Sequence, residues 1–399
     1  MVLGFSACDF RILLLFAGLT FVGLADSQII SPILPELAQD FRRTVTNMNH
    51  VVTVYWAGAA VASLVAGPLL DHYGRKGILL VGTCIAAVGD LAAAGTSSFT
   101  GLLTFRFLVG LGTSLASVSH LAYMGDYFPY HVRGKAMSFI TVGFFGGFTF
   151  GIPLGGLLAE AFSWRWTLAA LGGVMGCVCF GCLAGLPDLP PQRSPIRSRR
   201  LIQDVVTLHC RPQPAVAMFI YACIGASTVG FLAYAGEWLF RHFSYSITDR
   251  SQVFLWCGLT SLVFSPAAGM WADRSGKRVP AIFGSILICL LMGVVPLLPM
   301  EPYVIYSAFM LLAAGISLRQ SPLLTLVTEI VPAQRRGTFL AIKNAWTQVG
   351  AAGGNFIAGV LYRHGGYQPV GIFSCILTAL TVVLLAGLIV EPDASRKER

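Results

Sequence analysis

Charge is what this chain has least of. Of its 399 residues only 11% are Asp, Glu, Lys or Arg, whereas 55% are hydrophobic and the mean hydropathy is +0.73. No ordinary soluble domain has that balance, so a large soluble domain is excluded. The sequence has no P-loop, no H-E-x-x-H and no G-x-S-x-G. ATP-driven transport and the common hydrolase chemistries therefore find no support; an enzyme is not expected and no cofactor is called for. Ten cysteines occur without paired spacing, and most lie inside apolar runs, where they read as small buried hydrophobes. Cys177, Cys179 and Cys182 have no neighbouring His or acid, so packing is expected there and no metal site is predicted. The net charge of +9 is scattered over short loops without an aromatic-interleaved stripe, which argues against nucleic acid. The first apolar run has no small-residue cleavage site and outlasts a signal peptide, so it reads as a retained helix.

What the chain does have is a succession of long apolar runs. At roughly 20 residues per span there is room for about twelve. Hydropathy places helices at 10–35, 46–70, 78–96, 99–124, 135–160 and 165–187, then at 214–240, 250–272, 280–300, 302–328, 338–362 and 366–390. The expected fold is an all-α polytopic membrane protein with twelve spans in two pseudo-symmetric six-helix bundles. Residues 1–187 form the first bundle, 188–213 a Pro- and Arg-rich linker, 214–390 the second bundle, and 391–399 a charged, disordered tail.

Two repeated corners carry the duplication. Gly67-Pro-Leu-Leu-Asp71-His-Tyr-Gly74-Arg75-Lys76 and Gly269-Met-Trp-Ala-Asp273-Arg-Ser-Gly276-Lys277-Arg278 share the pattern G-x-x-x-D-x-x-G-basic-basic, 202 residues apart. Asp126-x-x-Pro-x-x-x-Arg133-Gly and Glu329-x-x-Pro-x-x-x-Arg336-Gly are 203 apart. Two motifs at nearly one offset point to two halves related by an axis along the membrane normal. Of the 27 Lys and Arg, only Arg42, Arg43, Arg165, Arg241, Arg250 and Arg363 fall on one side; Arg106, Arg319 and Lys343 fall within spans, and the rest share the side of the corners and termini. The positive-inside rule makes that side, and both termini, cytoplasmic.

On these motifs the whole chain resembles the major facilitator superfamily, whose cytoplasmic signature lies between helices 2 and 3 and again between 8 and 9. His72 departs from the family's usual Arg, which the second copy keeps at Arg274. Physically, Gly67 is read as letting a neighbouring helix approach, Gly74 as permitting the turn, and Asp71 as stabilising a helix N-terminus. Arg75 with Asp126, and Lys277 or Arg278 with Glu329, are candidate latches; the resemblance implies such a cytoplasmic gate, set against the alternative that these charges only fix topology.

Gly143, Gly147, Gly151 and Gly155 recur every four residues, with Pro153 and Gly156 beside them. They let another helix pack backbone to backbone, and Pro153 favours a bend. The stretch Gly147 to Gly156 resembles a variant of the antiporter motif of proton-coupled exporters, with Ile152 inserted before Pro153. Ordinary close packing explains the glycines equally well.

Polar groups at membrane depth mark candidate proton and substrate positions. Asp26 lies about 24 Å, and Arg106 about 27 Å, along their helices from the cytoplasmic end. An Asp26–Arg106 pair is expected; protonating Asp26 would release the arginine. Asp90 is a second acid, and His120 the one histidine placed as a proton relay. Thr113 and Ser117 continue the polar face of Arg106; Ser227, Tyr234, Arg319, Asn344, Gln348 and Asn355 are the candidates lining a cavity in the second half. Arg319 is deep, with a substrate anion and an unseen acid both open as partners; Lys343 is read as snorkelling to the cytoplasm. Glu237 and Arg241 fit a surface i,i+4 pair as well as a substrate contact.

The expectation is a secondary transporter resembling the drug and metabolite:proton antiporters, a monomer in the bacterial inner membrane whose partners are a small-molecule substrate, protons and the lipid bilayer. Proton-coupled or facilitative uptake, and a transport-inactive receptor or assembly factor on the same fold, are the alternatives.

Overall fold

The computed structural model describes residues 6–189, 205–298, 301–332, 335–389 and 391, except for the side chains of residues 7, 71, 130 and 131. Among the described residues twelve long helices carry the chain. The first unit's are α1 (Ala7–Asp40), α2 (His50–Tyr73), α3 (Arg75–Gly95), α4 (Phe99–Tyr127), α5 (Tyr130–Gly146 and Ile152–Ala161, joined by the π-turn Gly147–Gly151) and α6 (Trp164–Gly185). Then come α7 (Pro212–Phe243), α8 (Ile247–Ser275), α9 (Arg278–Val294), α10 (Pro302–Glu329), α11 (Arg336–Gly365) and α12 (Tyr367–Gly387). Eleven are long and apolar enough to cross a membrane; α11 has the length but is interrupted by Lys343, Asn344, Gln348 and Asn355. The chain is an all-α polytopic membrane protein.

Helix ends follow capping chemistry more than hydropathy. Ser6 and Asp9 form a reciprocal capping box that starts α1, and Ser98 accepts from the Gly101 amide to start α4. Helix α1 continues past residue 35 to Asp40, through Pro32 and Pro35, five residues beyond its apolar window. Helix α9 stops at Val294, where a short 3₁₀ turn containing Pro296 replaces the end of the predicted 280–300 span. Residues 205–210, assigned to the linker from sequence, are helical, while residues 190–204 lie outside the described ones. Glu391, expected in a disordered tail, is pinned: its carboxylate accepts from the backbone N–H of Lys277 at 2.9 Å and of Arg278 at 3.3 Å, capping α9. Residues 392–399 lie outside the described ones.

The chain divides into two compact units, Met1–Ile196 with Gly236–Leu255, and Arg197–Ala235 with Trp256–Arg399. Lipid tails are as apolar as Leu, so helices associate in a membrane through close packing. In the first unit α4 lies against α2 and α3. A Cβ on Gly110 would collide with the Tyr55 carbonyl, and one on Gly58 with the Phe107 carbonyl; Gly82 and Gly112 face each other across α3 and α4. Helix α5 rides on α1 through Gly143 against Ala17, Gly147 against Phe21 and Gly151 against Ala25. The predicted glycine groove is thus filled by α1, and the π-turn Gly147–Gly151 widens the helix just before Pro153.

Inside the second unit the same contacts recur. Gly284 meets Gly315 across α9 and α10, Gly350 meets Ala222, and Gly354 meets Ala226. Arg133 donates from its guanidinium to Phe128 O at 3.3 Å, and Arg336 to Val331 O at 3.3 Å, each closing the preceding helix end. The corner glycines also match: Gly74 has φ +80 and Gly276 φ +84, a conformation glycine adopts at little cost. Gly67 differs from expectation. Nothing among the described residues lies within 4 Å of a Cβ there, because α2 approaches α4 more than two turns earlier, at Gly58; Gly269 is equally open.

Candidate functional site

Within the first unit, Arg106 on α4 reaches two acids with one nitrogen. Its Nη1 donates to Asp26 Oδ1 at 2.5 Å and to Asp90 Oδ1 at 3.2 Å, while Nη2 donates to the Asp26 carbonyl at 3.2 Å. All three side chains are at most 1% exposed. The guanidinium also lies 4.8 Å from the centroid of the Tyr55 ring, and the Tyr55 hydroxyl is 3.1 Å from Thr113 Oγ1. Helix packing sets this geometry. Gly110, one turn beyond Arg106, lets α4 reach the Tyr55 carbonyl, and a Cβ on Gly172 would sit 3.0 Å from Asp90 Cβ, so α6 presses α3 toward the site.

Charge arithmetic gives the triad its chemistry. With both carboxylates ionised it carries one net negative charge; with one proton it is neutral. Buried ions persist only when paired and hydrogen-bonded. Asp26 Oδ2, Asp90 Oδ2 and Arg106 Nε lack a hydrogen-bond partner among the described residues, so both acids keep an oxygen that a proton can occupy.

The other sequence candidates scatter. His120 is buried three to four turns along α4 from Arg106, with Nδ1 3.1 Å from Ala116 O and its ring against Phe16, outside the triad. Ser117 is exposed, whereas Thr113 joins the triad through Tyr55. In the second unit Tyr234 stacks on Tyr362 at 4.5 Å, and Ser227 and Asn355 are fully buried. Asn344 and Gln348 are half-buried. Arg319 is buried, with Nη2 3.4 Å from Thr228 Oγ1. Lys343 does not snorkel: it is buried, with Nζ 4.2 Å from the centroid of the Tyr221 ring on α7. Tyr221 supplies a face for the ammonium that a depth estimate alone does not reveal.

At the corners, Arg75 Nε donates to Asp126 Oδ2 at 3.0 Å, and Lys277 Nζ to Glu329 Oε2 at 2.7 Å. Arg278 turns instead to the Leu385 carbonyl at 3.1 Å. Lys76 pairs with exposed Asp188 at 3.0 Å. Asp273 is exposed, the Asp71 side chain lies outside the described residues, and His72 rests edge-on against Tyr73. Tyr127 donates to Asp9 at 2.9 Å, so α1 begins at the corner end of the first unit.

At the far end of α1 lies a group that sequence reasoning missed. Arg250 on α8 grips Glu36 with two nitrogens, at 2.5 and 3.3 Å, and donates from Nε to Ser246 O at 3.0 Å. Glu160 accepts from the Thr248 amide at 2.6 Å, and Gly236 N donates to Ser31 Oγ at 3.3 Å. Glu237 is buried and pairs with exposed Arg241. Arg250 looked like one more loop cation from sequence; only tertiary contact brings it to Glu36.

The sequence matches the family model described as Major Facilitator Superfamily over residues 16–255 and 217–399. The chain belongs to that superfamily. Among major facilitator relatives it is similar to the uncharacterized MFS-type transporter YceJ of Bacillus subtilis (strain 168), with 25% identity over 93% of this chain and 94% of the relative. It is 24% identical to the multidrug resistance protein Stp of Mycobacterium tuberculosis (strain CDC 1551 / Oshkosh), over 85% of this chain and 73% of that one. In fold it matches the crystal structure of a D-xylose-proton symporter, with a TM-score of 0.79, 17% identity and coverage of 96% and 98% of the two chains. As a major facilitator protein the chain is a secondary transporter of a small solute that works by alternating access, not an enzyme.

Proposed function

We propose that this transporter is proton-coupled and exports a small organic solute in exchange for protons. The observation that supports the reading is the Asp26–Arg106–Asp90 triad. A proton on Asp26 removes the charge that holds Arg106 Nη1, so the arginine falls back on Asp90 and the tie between α1 and α4 weakens. Loss of the proton restores the tie. Alternating occupancy of the two acids gives α1 and α4 two arrangements separated by a chemical event, the requirement for a switch.

The corner pairs Arg75–Asp126 and Lys277–Glu329 are read as latches that hold the loops of one conformational state. By the positive-inside rule that end, with both termini, faces the cytoplasm, and the membrane is a bacterial inner membrane. The chain is read as two six-helix halves, 1–187 and 214–390, acting as a monomer. Export is favoured by the glycine-rich α5 seated on α1 and by the name of the mycobacterial relative. The candidate solute contacts are Thr113 and Ser117 within the first unit and, separately, Ser227, Tyr234, Arg319, Asn344, Gln348 and Asn355 within the second.

Everted membrane vesicles test the reading. Acidifying the lumen should drive accumulation of a transported solute, and a protonophore should abolish it. Accumulation that ignores the pH gradient overturns coupling; accumulation only under the opposite gradient overturns export and leaves proton-coupled uptake.

A further inference from the structure

Four cations are buried within the described residues: Arg106, Arg250, Arg319 and Lys343. Arg106 has Asp26 and Asp90, and Arg250 has Glu36. Arg319 and Lys343, both in the second unit, have no carboxylate partner among the described residues. Arg319 is 1% exposed; among the described residues its side chain makes one hydrogen bond, the 3.4 Å contact to Thr228 Oγ1, and its Nη1 has no partner. Lys343 is 8% exposed and rests on the Tyr221 ring.

The two cations share one neighbourhood. Both lie against one face of α7: Lys343 rests on the Tyr221 ring, and Arg319 reaches Thr228, seven residues further along the same helix face. Counted along their helices from the end where α10 stops and α11 starts, Arg319 lies about 15 Å deep and Lys343 about 10 Å. An arginine keeps its charge in a protein, and an unpaired buried ion is costly. The fold therefore retains an unneutralised guanidinium at membrane depth, with a second unpaired cation against the same face of α7.

We propose that Arg319 and Lys343 form the binding site for the anionic group of the transported solute, which is an organic anion carrying a carboxylate or another oxyanion. The guanidinium presents a planar fork that matches two oxygens, with Nη1 as the available donor, and Lys343 supplies a second charge without geometric demand. Thr228 orients the fork. This rests on the transport reading but not on proton coupling or on direction.

The test uses purified full-length protein in detergent and matched probes: benzoate against benzamide, succinate against succinamide, and glycerol 3-phosphate against glycerol. At least one anion should raise the unfolding temperature where its neutral partner does not. The carboxylate and phosphate arms identify which oxyanion is preferred. Arg319→Leu and Lys343→Gln should each weaken that anion at least about tenfold, because a hydrogen bond to a charged group is worth more than the free energy that separates a factor of ten. Without ligand, Arg319→Leu should unfold at or above the wild-type temperature, since it removes an uncompensated charge. If no anion outperforms its neutral partner, or if Arg319→Leu unfolds earlier or fails to fold, the proposal is overturned; Lys343→Gln with undiminished anion binding removes the lysine from the site. Because these readouts need no gradient, an intact anion shift with gradient-independent flux sinks the coupling alone, and gradient-driven flux of a neutral solute without any anion shift sinks the anion site alone.

Discussion

Arg106 Nη1 stands 2.5 Å from Asp26 Oδ1 and 3.2 Å from Asp90 Oδ1, so one nitrogen serves two acids with no water-exposed surface between them. The shorter contact, and the added bond from Nη2 to the Asp26 backbone, make Asp26 the main partner. Asp26→Asn keeps a polar group of the same shape but cannot carry a proton. Gradient-driven accumulation in vesicles should fall at least about tenfold, the ratio that about 1.4 kcal/mol of lost coupling represents. Solute exchange without a gradient should persist, and coupled flux at the wild-type level would end the switch assignment.

Removing the cation should be worse for stability than removing an acid. Arg106→Met leaves two carboxylates buried without a counter-charge, and breaking a buried pair from one side costs about 3–5 kcal/mol. Thermal unfolding in detergent should show the loss, and the triple variant Arg106→Met, Asp26→Asn, Asp90→Asn should recover most of it while remaining unable to couple. If the triple variant is no more stable than the single one, charge is not what the triad balances.

Most of the fold and part of this site are legible before any coordinates. The helices are visible as apolar runs because the bilayer demands them, and the offsets of 202 and 203 residues fall on the same corner contacts in both units. Asp26 and Arg106 could be matched because rise per residue converts position into depth. Depth says nothing about azimuth. Asp90 shares the depth but only the packing of α6 on α3, through Gly172, turns it toward Arg106. Tyr55, Tyr221 and the Glu36–Arg250 pair were hidden for the same reason: each is defined by which helix lies opposite. The repeated spacing around Gly67 identifies a corner without showing whether a neighbour lies against it.

Glycine positions separate by what faces them. Gly110→Ala drives a methyl into the Tyr55 carbonyl, and backbone cannot yield as a side chain can. Overpacking of this kind costs about 1–3 kcal/mol. Gly67→Ala meets nothing within 4 Å among the described residues and sits in a helix, where alanine is favoured by up to about 1 kcal/mol. Unfolding temperatures in detergent should fall for the first and hold or rise for the second; the reverse order would contradict the packing.

The corner pairs predict a kinetic effect with little change in stability. Arg75, Asp126, Lys277 and Glu329 are each partly exposed, so each pair is worth no more than about 1 kcal/mol. Asp126→Asn and Glu329→Gln should leave unfolding nearly unchanged while slowing solute exchange several-fold. Exchange at the wild-type rate in both variants, with correct insertion, would reduce these pairs to topology anchors.

Glu36 and Arg250 allow a directional prediction at the opposite end of α1. Arg250 is only 1% exposed and is held by two bonds to Glu36, one to the Ser246 carbonyl and the Phe240 ring at 5.2 Å, so the pair ties α8 to α1. Two turns of contact reinforce it: Ser251 packs on Gly156, where a Cβ would collide with its hydroxyl, and Glu160 holds the Thr248 amide. We read this end as one where α1 and α8 part during the transport cycle. Glu36→Gln removes the charge from the acid while keeping its shape, which leaves a buried cation weakly satisfied in the closed state and so raises the open population. Ser251→Cys in a background without other cysteines should therefore react faster with a membrane-impermeant maleimide when Glu36 is Gln, by about tenfold if the charge contributes about 1.4 kcal/mol. The Glu36→Asp variant retains the charge and should label at close to the parent rate, so equal labelling of the Gln, Asp and parent forms would mean that the pair orders the α7–α8 turn without governing access.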